Sequence, residues 1–292
     1  MYVVTGATGH IGKVITQKLL SNGQKVRVIG RDEARLKPFM DKGAEAFVGS
    51  TADGPFLKKA FAGATAVFTM IPPDVTTPDL MAYDDRFTQA FVTALSQNTV
   101  KYVVDLSSIG GEQPQGTGPI LGLHHKEEKF KTLGINVLTL RPTFFMENFL
   151  FNIPIIKTMG INGSSLKADT PFPMIATRDV GEFAADALLQ LKFTGTSVQS
   201  LVGPRSVTCT EATRILGSAI GKPDLQYVQF SYEDAKKGMI AAGISQDVAH
   251  LYNEMNHAFN EGLIKVDPAA KANTTPTSIE DFAPIFAAAF RS

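Results

Sequence analysis

Apolar residues recur along this chain in two alternating rhythms. Six short runs are apolar nearly throughout: Tyr2–Val4, Lys25–Ile29, Ala44–Val48, Ala66–Ile71, Lys101–Leu106 and Asn136–Leu140. Such runs predict strands buried on both faces. Between them the apolar positions fall at helical spacing. Ile11, Val14, Ile15 and Leu19 follow the first run, and Leu57 and Phe61 follow the third. Leu80, Tyr83, Phe87, Phe91, Ala94 and Leu95 follow the fourth, and a helix is expected around His124 to Leu133 after the fifth. Strand and helix alternate with short connections. That pattern needs parallel strands joined by crossover helices, so the fold class is α/β, a doubly wound parallel sheet of Rossmann type, over residues 1–150.

Local signals punctuate these elements. Asn22-Gly23 stops the first helix, and Asp32 reads as the N-cap of the next. Thr77-Pro78-Asp79 reads as an N-cap with proline at the first helical position. A Gly- and Pro-rich loop, Gly110 to Gly122, follows the fifth strand. After about Leu150 the rhythm changes. Asp179-x-x-Glu182 and Thr208-x-x-Glu211 read as capping boxes of two further helices. A strand near 198–202 could return to the sheet, and helical spacing dominates to the C-terminus. Residues 151–292 are therefore expected to form a smaller, mainly helical region folded as a cap on the first.

The first strand opens into Gly6, Gly9 and Gly12, spaced G-x-x-G-x-x-G. Strand, glycine turn and amphipathic helix together predict a dinucleotide site. Gly6 permits the turn, Gly9 admits a pyrophosphate close to the backbone, and Gly12 allows close helix packing. Backbone around Thr8, His10 and Ile11 would present free N–H groups to the anion. Arg31, at the end of the second strand, suits the 2′-phosphate of NADPH, where an acidic residue would favour NADH. NADPH is the expected cofactor, with NADH possible. Thr51 after the third strand and Ile71-Pro72 after the fourth complete the expected cofactor contacts.

Composition removes several alternatives. Formal net charge is zero with no Lys/Arg cluster, which argues against nucleic acid or an anionic membrane surface as partner. No run approaches the ~18 apolar residues of a membrane span. The first strand starts directly after Met1, leaving no room for a signal peptide. The single cysteine, Cys209, excludes an internal disulfide framework and sits in a capping position, a structural role. These features lead us to expect a cytoplasmic protein. His250, Glu254 and His257 share one helix face, but the opposite face (Val248, Leu251, Tyr252, Met255, Phe259) is the apolar one. They read as a solvated face, and no metal site is expected.

Four features together resemble the NmrA-like group of atypical short-chain dehydrogenases/reductases. They are TGATGHIG (Thr5 to Gly12), Arg31, Ser107-Ser108 after the fifth strand, and LRPTFFMENFL (Leu140 to Leu150). That group includes NADPH:quinone reductases, azoreductase-like proteins and redox-sensing regulators. The resemblance implies a nicotinamide near the end of strand five and a substrate cleft roofed by the C-terminal region. The chain departs from the superfamily's Tyr-x-x-x-Lys pair. The corresponding stretch, Gly118 to Glu128, holds no tyrosine; His124 or His125 falls near the lysine position, and Glu127 and Glu128 near an acidic one. Carbonyl reduction needs a well-placed proton donor. Quinone or azo reduction needs it less, because the reduced product delocalises its charge.

His124, His125 and Ser107 are the candidate catalytic residues, histidine because it can carry a proton near neutral pH. Phe145 and Asn148 are the candidate substrate contacts, in an apolar pocket suited to a small planar aromatic molecule. Two functions remain open. One is an NADPH-dependent oxidoreductase acting on a quinone or azo compound. The other is a non-catalytic redox sensor that binds the dinucleotide and a protein partner.

Overall fold

The computed structural model describes all 292 residues. The chain runs β1 (Tyr2–Val4), α1 (His10–Ser21), β2 (Val26–Gly30), α2 (Glu33–Met40), β3 (Glu45–Val48), α3 (Gly54–Ala60), β4 (Ala66–Thr69), α4 (Leu80–Ser96), β5 (Tyr102–Leu106), α5 (Ile120–Lys131) and β6 (Asn136–Pro142). It continues through β7 (Phe144–Phe145), a 3-10 turn (Met146–Asn152), α6 (Ile153–Met159), β8 (Ile161–Ser164), β9 (Phe172–Ile175), α7 (Thr177–Gln190) and β10 (Thr196–Leu201). The last elements are β11 (Ser206–Val207), α8 (Cys209–Ala219), β12 (Gln226–Gln229), α9 (Tyr232–Ala241), α10 (Gln246–Asn260) and α11 (Ile279–Arg291).

Seven strands form one parallel sheet in the order β10-β6-β5-β4-β1-β2-β3. This is the doubly wound arrangement that the alternating rhythm predicts. The order reverses beside β1, which opens the crevice at the C-terminal strand ends where such folds bind ligands. The strand pleat sends neighbouring residues to opposite faces. Val4, Val28 and Val104 face the core under α1 and α7, with Ile15, Leu19, Val180 and Leu188. Val3, Val67 and Val103 face the other, with Phe61, Phe91 and Phe130.

The C-terminal region does not stand apart from this sheet. β10 pairs in parallel with β6, Thr196 opposite Val137, and α7 packs on α1 so closely that a Cβ on Gly181 would lie 2.7 Å from Val14. The remainder has its own core, in which Met146, Phe149, Met174, Leu216, Phe282 and Phe286 are buried. Two small sheets, β11-β9-β7 and β12-β8, accompany its helices. No helix is long and apolar enough to cross a membrane.

Several local readings need correction. Asp79 itself is the N-cap of α4, accepting from Ala82 N–H at 2.9 Å, so Pro78 precedes the helix. Asp179 caps nothing in its own helix. It accepts from Thr277 N–H and hydroxyl at 2.9 and 2.7 Å, and Glu147 accepts from Thr177 N–H at the start of α7. Thr208 does cap α8, but Glu211 pairs with Arg205 at 2.9 Å instead of folding back. α5 begins at Ile120, inside the expected loop. Gly122 weakens the helical signal there, yet it is needed because α4 leaves no room for a side chain at that position.

Candidate active site

β1 delivers the chain to the turn, and Thr5 ties the turn to β4. Its hydroxyl donates to Phe68 C=O at 3.0 Å and accepts from Met70 N–H at 3.2 Å. Gly6 has φ +61°, a conformation that other residues rarely adopt. A Cβ on Gly12 would lie 2.2 Å from Gly6 C=O, so this glycine lets α1 pack on the turn itself. α1 starts after Gly9 with no side-chain cap, so its first-turn N–H groups are free for an anion. Thr8 is half-buried, and Gly9 and His10 are exposed beside those groups. Ile11 buries its side chain in the core, leaving only its backbone for a ligand.

Arg31 follows β2, is exposed, and has no carboxylate in ion-pair contact. It lines a cleft of about 430 Å³ with Ser50, Ala52, Asp53, Asp74, Tyr83, Arg86 and Phe87. Thr51 is half-buried beside this cleft, while its neighbours Ser50 and Ala52 line it. Asp32 caps α2 as expected, accepting from Ala34 N–H at 2.9 Å. The cap orients a residue the sequence pattern did not single out: Arg35 reaches back to Thr8 C=O at 3.5 Å. Arg35 thus stands beside the glycine turn, and Arg31, just before the α2 cap, stands at the neighbouring cleft. Ile71 and Pro72 continue β4 on the same edge, with Pro72 C=O accepting from Tyr83 Oη at 2.9 Å. Uncapped helix N-terminus, glycine turn and two guanidinium groups without a carboxylate partner are a donor set that fits a phosphorylated dinucleotide.

At the end of β5, Ser107 is buried and its hydroxyl donates to Glu127 Oε1 at 2.5 Å. Arg141, from β6, donates to Glu127 at 3.0 and 2.5 Å and to Glu112 at 3.0 Å. Half-buried His124 lies beside this network, its Nδ1 2.8 Å from Gly111 C=O. A carbonyl only accepts, so Nδ1 carries a proton and Nε2 is the ring nitrogen left to face a ligand. His125 points to solvent, and Glu128 is a surface partner of Lys131. Of the two acidic candidates, only Glu127 joins the network.

The aromatic run divides its labour. Phe144 packs edge-on against Phe149 and Phe172, at centroid distances of 5.8 and 5.3 Å, within the C-terminal core. Phe145 and Asn148 are half-buried, and Phe145 packs against the main core. Beneath the β5 end lies a buried pair that sequence reasoning missed. Lys126 Nζ is 2.9 Å from Asp105 Oδ1 and donates to Leu106 C=O at 2.9 Å. Thr69 donates to the same carboxylate oxygen at 2.6 Å. The one available signal was an aspartate inside an otherwise apolar strand, KYVVDL.

Fold and site define an α/β protein of Rossmann type with a glycine turn at the crevice. The chain belongs to the NmrA-like family, whose model matches residues 2–283. It is 29% identical over 278 residues to a (4-alkanoyl-5-oxo-2,5-dihydrofuran-3-yl)methyl phosphate reductase from Streptomyces griseus, covering 95% of this chain and 91% of that one. It is 26% identical to an NAD(P)H azoreductase from Xenophilus azovorans, covering 99% of each. Triphenylmethane reductase from Citrobacter sp. shares the fold with a TM-score of 0.81 at 20% identity, covering 98% of this chain and 99% of that one. An NADPH-dependent quinone oxidoreductase from Escherichia coli has a TM-score of 0.77 at 19% identity, covering 97% and 98%.

Proposed function

We propose that the protein is an NADPH-dependent oxidoreductase that reduces a small planar electrophile such as a quinone or azo compound. The observation that carries this reading is the spacing of two polar sites along one crevice. The uncapped α1 start with Arg31 and Arg35 stands at the β1–β2 end, and Ser107, Glu127 and His124 stand at the β5 end. The names of the azoreductase and quinone oxidoreductase relatives support it.

In this reading, residues 1–150 hold the cofactor and residues 151–292 roof the substrate. First-turn N–H groups of α1 bind the pyrophosphate, and the two arginines bind the 2′-phosphate. The reduced nicotinamide, when bound, supplies hydride to the acceptor. Ser107 has committed its proton to Glu127, so its hydroxyl accepts a hydrogen bond and orients a donor such as a carboxamide. His124, in its doubly protonated form, delivers a proton through Nε2. Phe145 and Asn148 contact the acceptor, and apolar enclosure excludes water from it.

Steady-state oxidation of NADPH across a panel of quinones, azo dyes and aldehydes tests the reading. Turnover with quinones or azo dyes supports it. Binding of NADPH with no turnover across the panel favours the redox-sensor reading. The absence of a tyrosine from Gly118 to Glu128 is the observation behind that alternative.

A further inference from the structure

Behind the end of β5, one ammonium and two carboxylates meet with too few hydrogen bonds to satisfy them all. Asp84, on α4, is 6% exposed. Its carboxyl lies directly against α5: a Cβ on Gly122 would come within 2.1 Å of Oδ2. Lys126, one turn further along α5, is fully buried and gives its ion pair to Asp105. Asp105 Oδ2 and Thr88 Oγ1, one turn beyond Asp84, are buried with no partner. Orphaned buried oxygens are rare, and a cluster of them calls for a bound proton or an enclosed water. Asp105 already has Lys126 and Thr69 to stabilise its charge. Asp84 makes no ion pair or hydrogen bond to either and feels Lys126 only at a distance, so the proton is assigned to Asp84.

We propose that Asp84, Lys126 and Asp105 form a buried proton-holding cluster whose charge is linked to the charge of a nicotinamide bound at the end of β5. This rests on the cofactor placement of the preceding subsection. The path is short: Lys126 holds the carbonyl of Leu106, and Ser107 is the next residue. With Asp84 protonated the cluster is neutral; with Asp84 ionised it carries one negative charge. An oxidised nicotinamide carries one more positive charge than a reduced one. The ionised cluster therefore favours the oxidised cofactor, and binding of the oxidised form expels the proton.

The chemistry of the surroundings agrees. Burial pushes the Asp84 carboxyl up to about 7, with Lys126 pulling the other way. Burial also raises Asp105, again opposed by Lys126. From α10, Tyr252 faces the cluster, and burial together with Asp84 pushes its phenol up, so it stays neutral. Glu127 is held by Arg141 and Ser107, and Lys129 pairs with Asp85 at the surface. Of the two carboxyls, Asp105 keeps the ion pair with Lys126 and the Thr69 hydrogen bond, and Asp84 is the one pushed up to about 7.

The test is the dissociation constant of NADP+ relative to that of NADPH, measured by calorimetry from pH 6 to pH 8. Titration of the 2′-phosphate is common to both ligands and cancels in the ratio. In the wild type the ratio should fall on the order of tenfold over this range, as for two unit charges roughly 10 Å apart at an effective dielectric of ~20. In Asp84→Asn it should be flat. Calorimetry of the wild type in buffers of different ionisation enthalpy should also show more proton release on binding NADP+ than on binding NADPH below pH 7, the 2′-phosphate contributing equally to both. This second measurement decides the matter if the variant fails to fold. A flat wild-type ratio with both ligands bound overturns the linkage, as does an unchanged slope in Asp84→Asn. If neither ligand binds, the cofactor placement itself falls and the inference goes with it.

Discussion

Ser107 donates its hydroxyl proton to Glu127 at 2.5 Å, and both side chains are almost wholly buried. The contact ties the end of β5 to α5, and Arg141 extends it to β6. Removing the acid strands the buried Ser107 hydroxyl and the half-buried Arg141, whereas removing the hydroxyl strands only one bond of an acid that still has Arg141. Glu127→Ala should therefore cost ~3–5 kcal/mol of stability, and Ser107→Ala ~1–3 kcal/mol. Urea unfolding of both variants checks the order. Equal costs would mean that Arg141 is satisfied by Glu112 alone.

Arg31 and Arg35 meet no carboxylate, so their charge is free for a ligand. A charge-assisted contact contributes ~1.5–3 kcal/mol, which is ~10- to 100-fold in affinity. Arg31→Ala should weaken NADPH binding by that factor and leave NADH binding nearly unchanged. A wild type that binds the two equally in calorimetry would remove Arg31 from the 2′-phosphate site.

The last two glycines of the turn should separate binding from folding. At Gly9 an added Cβ meets only Gly6 C=O, at 3.3 Å, whereas at Gly12 it meets that carbonyl at 2.2 Å. Gly9→Val should fold and lose NADPH affinity, because the side chain takes the pyrophosphate's place. Gly12→Ala should lower stability by ~1–3 kcal/mol through overpacking. Thermal melts alongside NADPH titrations distinguish the two. A folded Gly9→Val protein that keeps its affinity would contradict the assignment of the turn.

The features legible in the sequence were local or periodic. Val3 and Val4, Ile15 and Leu19 announce a strand and a helix by spacing, and the glycines announce the turn between them. Asp32 capped its helix because a cap reaches only two or three residues. Asp179 misled for the opposite reason: its partner, Thr277, is distant in the chain. Lys126 and Asp84 were invisible because each reads as an ordinary polar position on a helix, and Asp105, though odd in an apolar strand, named no partner. Only packing of α4 and α5 over β5 turns them into a buried cluster. A second, indirect trace was the glycine at position 122, where a helix would otherwise carry a side chain.

His124 and His125 differ in what holds them. His124 is anchored through Nδ1 to Gly111 C=O beside Ser107 and Glu127, while His125 is exposed. His124→Ala should lower kcat/KM for a quinone by ~10²-fold, the usual cost of losing one acid/base or orienting group. NADPH affinity should change far less, and His125→Ala should leave turnover within about twofold. Steady-state kinetics on the two variants decide it. If the roles reverse, the exposed ring is the one that reaches the substrate. If neither variant loses rate, the proton comes from solvent.

Asp84 should also leave its mark on stability, in a direction opposite to that of most paired carboxylates. Its folded-state carboxyl is pushed from 3.8 to about 7 by burial. Between those values the native protein holds a proton that the unfolded chain has released. Stability then falls as pH rises through this window, and above about 7 the loss is complete. The full effect is on the order of 4 kcal/mol. Asp74, held low by the hydroxyl and N–H of Thr76, and Asp281, held low by Ser278, act in the opposite sense and only at more acid pH. Asp84→Asn keeps the shape of the side chain without its charge. It should be close to wild type near pH 4.5 and progressively more stable than wild type towards pH 8. Urea midpoints at several pH values measure the difference directly, with Asp105 and every other group common to both proteins. A constant difference across that range would show that Asp84 is ionised throughout, and that Lys126 neutralises both aspartates.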